Sequence, residues 1–128
     1  VRNNRRALWC AAQLGGHRVL LASLHNDTFV GPNNLAQTKQ LLEFAASGDC
    51  LLVGDFNAKP DSASIVLLRD SGKFSGEFDG PPTFPAPEPT RTIDYILAPP
   101  AWQLLEHRVI HDDASDHCPV LTVFRLPE

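Results

Sequence analysis

The chain has 128 residues, a length that suits one domain and is too short for two. Hydrophobic residues make up 43% and charged residues 20%, as in globular rather than disordered chains. The formal charge of −4 argues against a basic surface that binds nucleic acid, and no apolar run reaches the roughly 18 residues of a membrane span.

The cysteines and the missing methionines give two further expectations. Cys10, Cys50 and Cys118 are odd in number and lack a Cys-x-x-Cys pair. We therefore expect small buried thiols in a reducing, cytoplasmic compartment rather than disulfides or a zinc site. Because the sequence contains no Met, we also expect it to be a processed product or a piece of a longer protein.

The first third of the chain predicts a hairpin followed by a helix. Apolar runs at residues 5–14 and 17–25 flank Gly15-Gly16, a pattern typical of a tight turn between strands. Residues 19–22 are continuously apolar, which predicts a strand covered on both faces. A helix with Pro32 in its first turn should continue through Ala45 and end at Ser47-Gly48.

The order strand, helix, strand predicts a layered α/β domain. The second such strand is residues 50–53, followed by a short helix at 63–70 that Asp61 or Ser62 can cap. Five prolines make residues 73–90 a stiff, extended loop. Three more strands are predicted, at residues 92–97, 106–110 and 118–126.

Polar residues collect where the predicted strands end. Asp55 and Asn57 follow the buried strand at 50–53, and residues two apart in extended chain point the same way. They can serve a ligand site or only the chemistry of a turn. His25 also ends a buried strand, and Asp116-His117 begins the last one. If the last strand runs antiparallel to the other two, all five residues line one rim.

Asp94 lies inside an apolar strand, where an uncompensated carboxylate is costly. We predict that it pairs with His117, fixing the tautomer of the imidazole and stabilising its protonated form. Asp116 and His117 are neighbours and should point to opposite sides, so that one can face a metal. Carboxylates and an amide without thiolates favour Mg²⁺ or Mn²⁺, ions that suit the hydrolysis of phosphate esters.

Three segments resemble successive motifs of the endonuclease/exonuclease/phosphatase superfamily, which has the deoxyribonuclease I-like fold. They are Gly54-Asp55-Phe56-Asn57, Thr92-Ile93-Asp94-Tyr95-Ile96 and Ser115-Asp116-His117-Cys118-Pro119-Val120. Thr83-Phe84-Pro85 and Leu24-His25 resemble two further segments of the family. The resemblance implies an α/β (α+β) fold that is part of a four-layer α/β/β/α sandwich with mostly antiparallel mixed sheets.

The resemblance also implies roles for the polar residues. Asp55 would orient or deprotonate the attacking water, and His117, paired with Asp94, would bind the phosphate and stabilise its charge. The implied catalytic set is Asp55, Asn57, Asp94, His117 and His25. Within it His25, Asn57 and His117 would contact the phosphate. Asp116 and Asp55 would lie on the side of the Mg²⁺ or Mn²⁺ ion.

One departure from the family is large. Its amino-terminal half, which carries an asparagine and the glutamate that is the main Mg²⁺ ligand, has no counterpart here. Residues 1–128 are therefore expected to be a single partial domain that lacks this half. Such a domain should expose one apolar sheet face, which the missing half or a partner would cover.

The expected activity is metal-dependent phosphoester hydrolysis on nucleic acid, a phospholipid or a small phosphoester. The negative net charge argues mildly against a dedicated nuclease. The alternative is a catalytically inactive fragment or a binding module of the same fold, for which the missing glutamate argues. A serine or cysteine hydrolase is disfavoured, because the sequence has no Gly-x-Ser-x-Gly elbow.

Overall fold

The computed structural model of the chain describes residues 5–28 and 31–128. These residues form seven strands and two helices. In chain order they are β1 (Ala7–Leu14), β2 (His17–His25), α1 (Gly31–Ala45), β3 (Cys50–Asp55), α2 (Ala63–Asp70), β4 (Ser75–Gly76), β5 (Asp94–Ala98), β6 (Gln103–Val109) and β7 (Val120–Arg125). No helix in these ranges is long and apolar enough to cross a membrane.

The strands form two sheets. The larger has the order β1-β2-β3-β5-β4, and the smaller pairs β6 with β7. The predicted hairpin is confirmed, since β1 and β2 pair antiparallel across Gly15 and Gly16, which adopt φ of 53° and 82°. β2 and β3 are parallel, as the α1 crossover requires, and every other pair is antiparallel. The predicted mixed, mostly antiparallel α/β fold is confirmed.

Both helices cover one face of the larger sheet. Leu52 of β3 and Leu97 of β5 are fully buried there against Ile65 and Leu68 of α2. Helix α2 begins where Ser62 accepts a hydrogen bond from the Ile65 amide, as predicted for its cap. Tyr95 anchors the loop after β3, because its buried hydroxyl donates to the Ala58 carbonyl. This packing fixes the loop in which Asn57 lies.

The smaller sheet covers only part of the other face. Phe124 of β7 packs with Val19, Ala98 and Trp102 at one end of it. At the other end Leu8 is 76% exposed and Val53 38% exposed. In the described part of the chain the layers are thus helices, a large sheet and a small sheet, with Leu8 and Val53 left exposed on the open part of the large sheet.

Some local predictions were confirmed and others were wrong. The strand expected to be covered on both faces is covered on both, because Val19 and Ala22 are buried in separate core clusters, although Leu20 and Leu21 are only half-buried. The last strand begins at Val120 rather than at residue 118 and lies in the smaller sheet. The loop at 73–90 contributes the short edge strand β4. Cys10 is exposed on β1, whereas Cys50 and Cys118 are buried; all three are free thiols.

Candidate active site

Three of the predicted site residues stand in one row across the larger sheet. His25 at the end of β2 pairs in register with Asp55 at the end of β3. Asp55 in turn pairs in register with Asp94 at the start of β5. The parallel β2 and β3 end at the same sheet edge, and the antiparallel β5 begins there, so strand pairing alone brings the three side chains together.

His117 lies next to this row of residues, in the loop that leads into β7 of the smaller sheet. Its Nδ1 donates to Asp94 at 3.1 Å from Oδ1 and 2.9 Å from Oδ2. The predicted contact between Asp94 and His117 is therefore present, although Asp94 begins its strand and keeps 17% of its side chain exposed. The bond fixes the proton on Nδ1 and leaves Nε2 facing Asp55 at 3.7 Å from its Oδ2.

Electrostatics favour a charged imidazole beside two carboxylates. Burial by itself lowers the pKa of His117, but the hydrogen bond and negative charge of Asp94 outweigh it, with further support from Asp55 and Asp116. The net result is a pKa raised above its ordinary value. Burial raises the pKa of Asp55, and the nearby charge of Asp94 raises it further against the opposing hydrogen bond from Asn57. A carboxylate of this kind is a stronger base than an exposed one.

Asn57 reaches the site by a different geometry from the one expected. Its φ of 47° takes it out of extended chain, so strand alternation does not align it with Asp55. Instead its backbone amide donates to Asp55 Oδ1 at 2.8 Å, and its side-chain amide donates to the Asn26 carbonyl at 2.8 Å. His25, with 55% of its side chain exposed, lies 3.4 Å from Asp55 Oδ2. Asn57 and His25 thus flank Asp55 from two sides.

A cavity of about 990 Å³ opens onto these groups. His25, Asp55, Asn57, Asp116 and His117 all line it, together with residues at the starts of both helices. Asp116 and His117 border the same cavity because residues 114–117 form a bend rather than the extended chain that would separate them. The cavity is large enough for a small phosphorylated molecule.

Four residues that shape the site were not among the predicted site residues. Thr83 donates to Asp94, Phe84 packs against the His117 ring at 4.7 Å between centroids, and Arg91 lies over Phe84. Buried Asn34 donates to the carbonyls of Asp27 and Phe56 and so joins the loops that follow β2 and β3. Thr83 and Phe84 were noted only as part of a motif. For Asn34 the sequence did contain a signal, because it is a polar residue on the inner face of the predicted helix.

The residues that could hold a cation are Asp55, Asp94 and His117, whose ligand atoms lie within 4.8 Å of one another. The two carboxylates suit a hard divalent ion, which would also relieve their mutual repulsion. Asp94, however, already accepts from Thr83 and His117, so Asp55 is the carboxylate of this group best placed to bind metal. Asp116 lines the cavity but lies outside this group.

Taken together, the arrangement offers a carboxylate that can act as a base, an imidazole that can donate a hydrogen bond, and a space for an anion. The carboxylate is that of Asp55, and the imidazole is that of His117, held by Asp94. Such a set can activate water and stabilise charge that develops on a phosphate.

Comparison with known proteins identifies the fold independently. The family model described as Endonuclease/Exonuclease/phosphatase family matches residues 5–117. Among curated protein sequences no match was found. A functionally unknown conserved protein from Enterococcus faecalis V583 is 25% identical with a TM-score of 0.79, over 94% of this chain and 56% of that one.

Two further solved structures share the fold at lower identity. The mannosyl-6-phosphatase of Bacteroides thetaiotaomicron VPI-5482 is 19% identical with a TM-score of 0.72, over 88% of this chain and 53% of that one. The catalytic domain of human Nocturnin is 17% identical with a TM-score of 0.65, over 96% of this chain and 55% of that one. The chain thus spans just over half the length of these structures.

The family match covers most of the chain, and the fold of its solved neighbours agrees with it. The chain belongs to the Endonuclease/Exonuclease/phosphatase family, whose members hydrolyse phosphate esters.

Proposed function

We propose that this chain forms the catalytic edge of a metal-dependent phosphoesterase. The observation that carries the proposal is the contiguous group of Asp55, Asp94 and His117 beside the cavity. These residues come from β3, β5 and the loop before β7. A structural ion pair between Asp94 and His117 does not explain why a second carboxylate, Asp55, faces the same imidazole. Among the described residues, the side chains within ion-pair distance of Asp55 are those of His25 and His117.

The proposed reaction is attack of water on phosphorus. Asp55 takes a proton from the water, whose oxygen forms the new bond to phosphorus as the ester oxygen leaves. Burial makes Asp55 a better base, which suits this step. His117 Nε2 donates to a phosphate oxygen and balances its growing negative charge, while Asp94 keeps the ring charged and oriented. His25 and Asn57 are proposed to contact the phosphate from the two flanks of Asp55.

The proposed cofactor is Mg²⁺ or Mn²⁺. Asp55, with Asp116 at the cavity wall, would form the metal-facing side within this chain. When bound, the ion supplies positive charge that offsets the charge of the phosphate. The incomplete ligand set among the described residues is consistent with ligands supplied from outside this segment.

The open part of the larger sheet, where Leu8 and Val53 are exposed, is proposed to be covered by the rest of the domain or by a partner. Since the chain spans just over half of its structural neighbours, a second half of similar size would supply both this cover and further metal ligands. The proposed substrate is a phosphate ester of a nucleic acid, a phospholipid or a small molecule.

The test is hydrolysis of p-nitrophenyl phosphate and bis(p-nitrophenyl) phosphate with Mg²⁺ or Mn²⁺. It is run on this chain and on the longest gene product that contains it. In the active form, Asp55→Asn and His117→Ala should each lower kcat by about 100-fold or more. His111→Ala, at an exposed loop position, is the matched control and should leave kcat unchanged. Activity that survives both site substitutions would contradict the assigned roles.

The second candidate is a binding module without activity of its own. It is favoured by the engagement of Asp94 with both Thr83 and His117, which leaves one carboxylate of the group for a metal. On this alternative the chain and the longer product both bind inorganic phosphate, and neither hydrolyses the two esters. Turnover by either form, if lost with Asp55→Asn, would exclude it.

A further inference from the structure

The cavity carries a cationic rim that the proposed reaction does not use. Arg91 and Lys59 are both exposed, and both line the cavity that contains His117. They come from different segments, one before β5 and one after β3. Both also line a second, adjoining cavity of about 530 Å³. The two cations thus belong to the linings of both cavities.

The guanidinium of Arg91 is held in place by an aromatic ring. Its Cζ lies 4.8 Å from the centre of the Phe84 ring, within cation–π distance. The two residues also face each other across an antiparallel bridge, in which the Arg91 amide donates to the Phe84 carbonyl at 2.9 Å. Backbone pairing and ring contact together fix where this cation stands.

The same ring connects Arg91 to the proposed reaction centre. Phe84 lies 4.7 Å from the His117 ring between centroids. The guanidinium carbon can lie no farther from the centre of the imidazole than this distance plus the 4.8 Å that separates it from Phe84. A small molecule with two phosphates can therefore span the distance between the Arg91 guanidinium and the His117 imidazole.

Neither cation is neutralised within the described ranges. No carboxylate lies within ion-pair distance of Arg91 or Lys59 in residues 5–28 and 31–128, whereas Arg69 pairs with Asp70 and Arg108 with Glu106. The cavity linings also contain carboxylates, among them Asp55 and Asp116 in the first and Asp61 and Asp79 in the second, but none of these forms an ion pair with Arg91 or Lys59. The two side chains are therefore free to bind an anion that enters the cavity.

We propose that Arg91 and Lys59 form a second anion site, which binds a second phosphoryl group of the substrate. This inference rests on the proposed function, in that His117 takes the phosphoryl group that reacts. The planar fork of Arg91 matches two oxygens of a phosphate, and Lys59 adds a point charge. The substrate class is then a diphosphate or a molecule with two neighbouring phosphates, rather than a simple monoester.

The experiment compares the binding of methylenediphosphonate, which cannot be hydrolysed, with that of inorganic phosphate. Both are titrated calorimetrically into the protein in metal-free buffer. The wild type should bind the diphosphonate about tenfold or more tightly than phosphate. The double variant Arg91→Gln, Lys59→Gln should lose most of this preference and keep its affinity for phosphate. Arg18→Gln, which removes an exposed cation of β2 outside the cavity lining, should change neither affinity.

Equal binding of the two probes by the wild type would overturn the proposal, as would absence of diphosphonate binding. Equal losses for both probes in the double variant would also overturn it, because a general loss of positive charge would explain them. The proposed reaction has a separate test, and it is contradicted if Asp55→Asn and His117→Ala leave turnover unchanged. Since the titrations need no turnover, the two failures are distinguishable.

Discussion

The hydroxyl of Thr83 donates a hydrogen bond to Asp94 Oδ2 at 2.6 Å, the same oxygen that lies 2.9 Å from His117 Nδ1. Thr83 is fully buried, and its backbone carbonyl accepts a hydrogen bond from the amide of Cys118, the residue after His117. One residue therefore holds both members of the pair, Asp94 through its side chain and the His117 loop through its backbone.

Replacing Thr83 with Val removes the hydroxyl and keeps the shape. We expect kcat of the active form to fall by about tenfold or more, because Asp94 loses the donor that fixes its orientation. Thr83→Ser, which retains the hydroxyl, should restore most of the loss. The measurement is kcat and KM for the two nitrophenyl esters, with thermal melting as the check on folding. Equal losses of kcat in both variants would mean that Thr83 acts through packing alone.

The edge at which the site residues meet was predictable from the sequence, because it depends on local pattern. His25 and Asp55 end apolar runs, and in a parallel strand pair such ends fall together. The exact register between Asp55 and Asp94 was not predictable, because it is set by pairing between strands almost forty residues apart in the chain. The place of His117 at this edge was predicted from the orientation expected of the last strand, which the structure places in the smaller sheet.

The contacts made by the proline-rich loop at residues 73–90 were not predictable from the sequence. Thr83, Phe84 and Arg91 lie in or beside it, where neither helical nor strand periodicity assigns a direction to any side chain. Their contacts with Asp94 and His117 arise from tertiary packing of that loop. Cys10 was misplaced for a related reason. Its neighbours are apolar, but β1 is an edge strand whose outer face the smaller sheet does not fully cover.

Gly54 is required by the close approach of β2 to β3. Its φ is 147°, and a Cβ at this position would lie 2.0 Å from the backbone oxygen of Leu24. Gly54→Ala should therefore lower the free energy of unfolding by at least about 2 kcal/mol, because backbone rather than a flexible side chain must move.

The matched control for this substitution is Gly48→Ala, because a Cβ there meets nothing within 4 Å. Urea unfolding of both variants measures the difference. If the two variants unfold at the same urea concentration as the wild type, the contact with Leu24 is not limiting.

Asn34 joins the two loops that carry the site. Its side-chain amide donates to the carbonyls of Asp27 at 2.7 Å and Phe56 at 2.8 Å, and its oxygen accepts from Ser64 at 2.6 Å. Asn34→Ala leaves three buried groups without these bonds and should cost about 1–3 kcal/mol in unfolding free energy.

Ser64→Ala provides the partner for a double-mutant cycle with Asn34→Ala. The double variant should be less destabilised than the sum of the two single variants, because each removes the same shared hydrogen bond. Strict additivity in urea unfolding would show that the bond between Asn34 and Ser64 contributes nothing.

His107 should make stability depend on pH. Its Nδ1 forms a hydrogen bond with Thr122 Oγ1 at 2.9 Å, and burial lowers its pKa below the ordinary 6.5, against a weaker opposing effect of Glu77. Between the two pKa values the unfolded chain binds more protons than the folded one, so stability rises with pH. The contribution of His107 is therefore present above its unfolded pKa and is lost as the pH falls below it.

The measurement is urea unfolding at about pH 5 and about pH 8, which lie on the two sides of the ordinary histidine pKa. His107→Gln should reduce the difference in unfolding free energy between the two conditions, because it removes the group that takes up the proton. His111→Gln changes an exposed histidine four positions away and should leave that difference intact. A wild type that is equally stable at both values, or a His107→Gln variant with the full difference, would show that other groups control acid sensitivity.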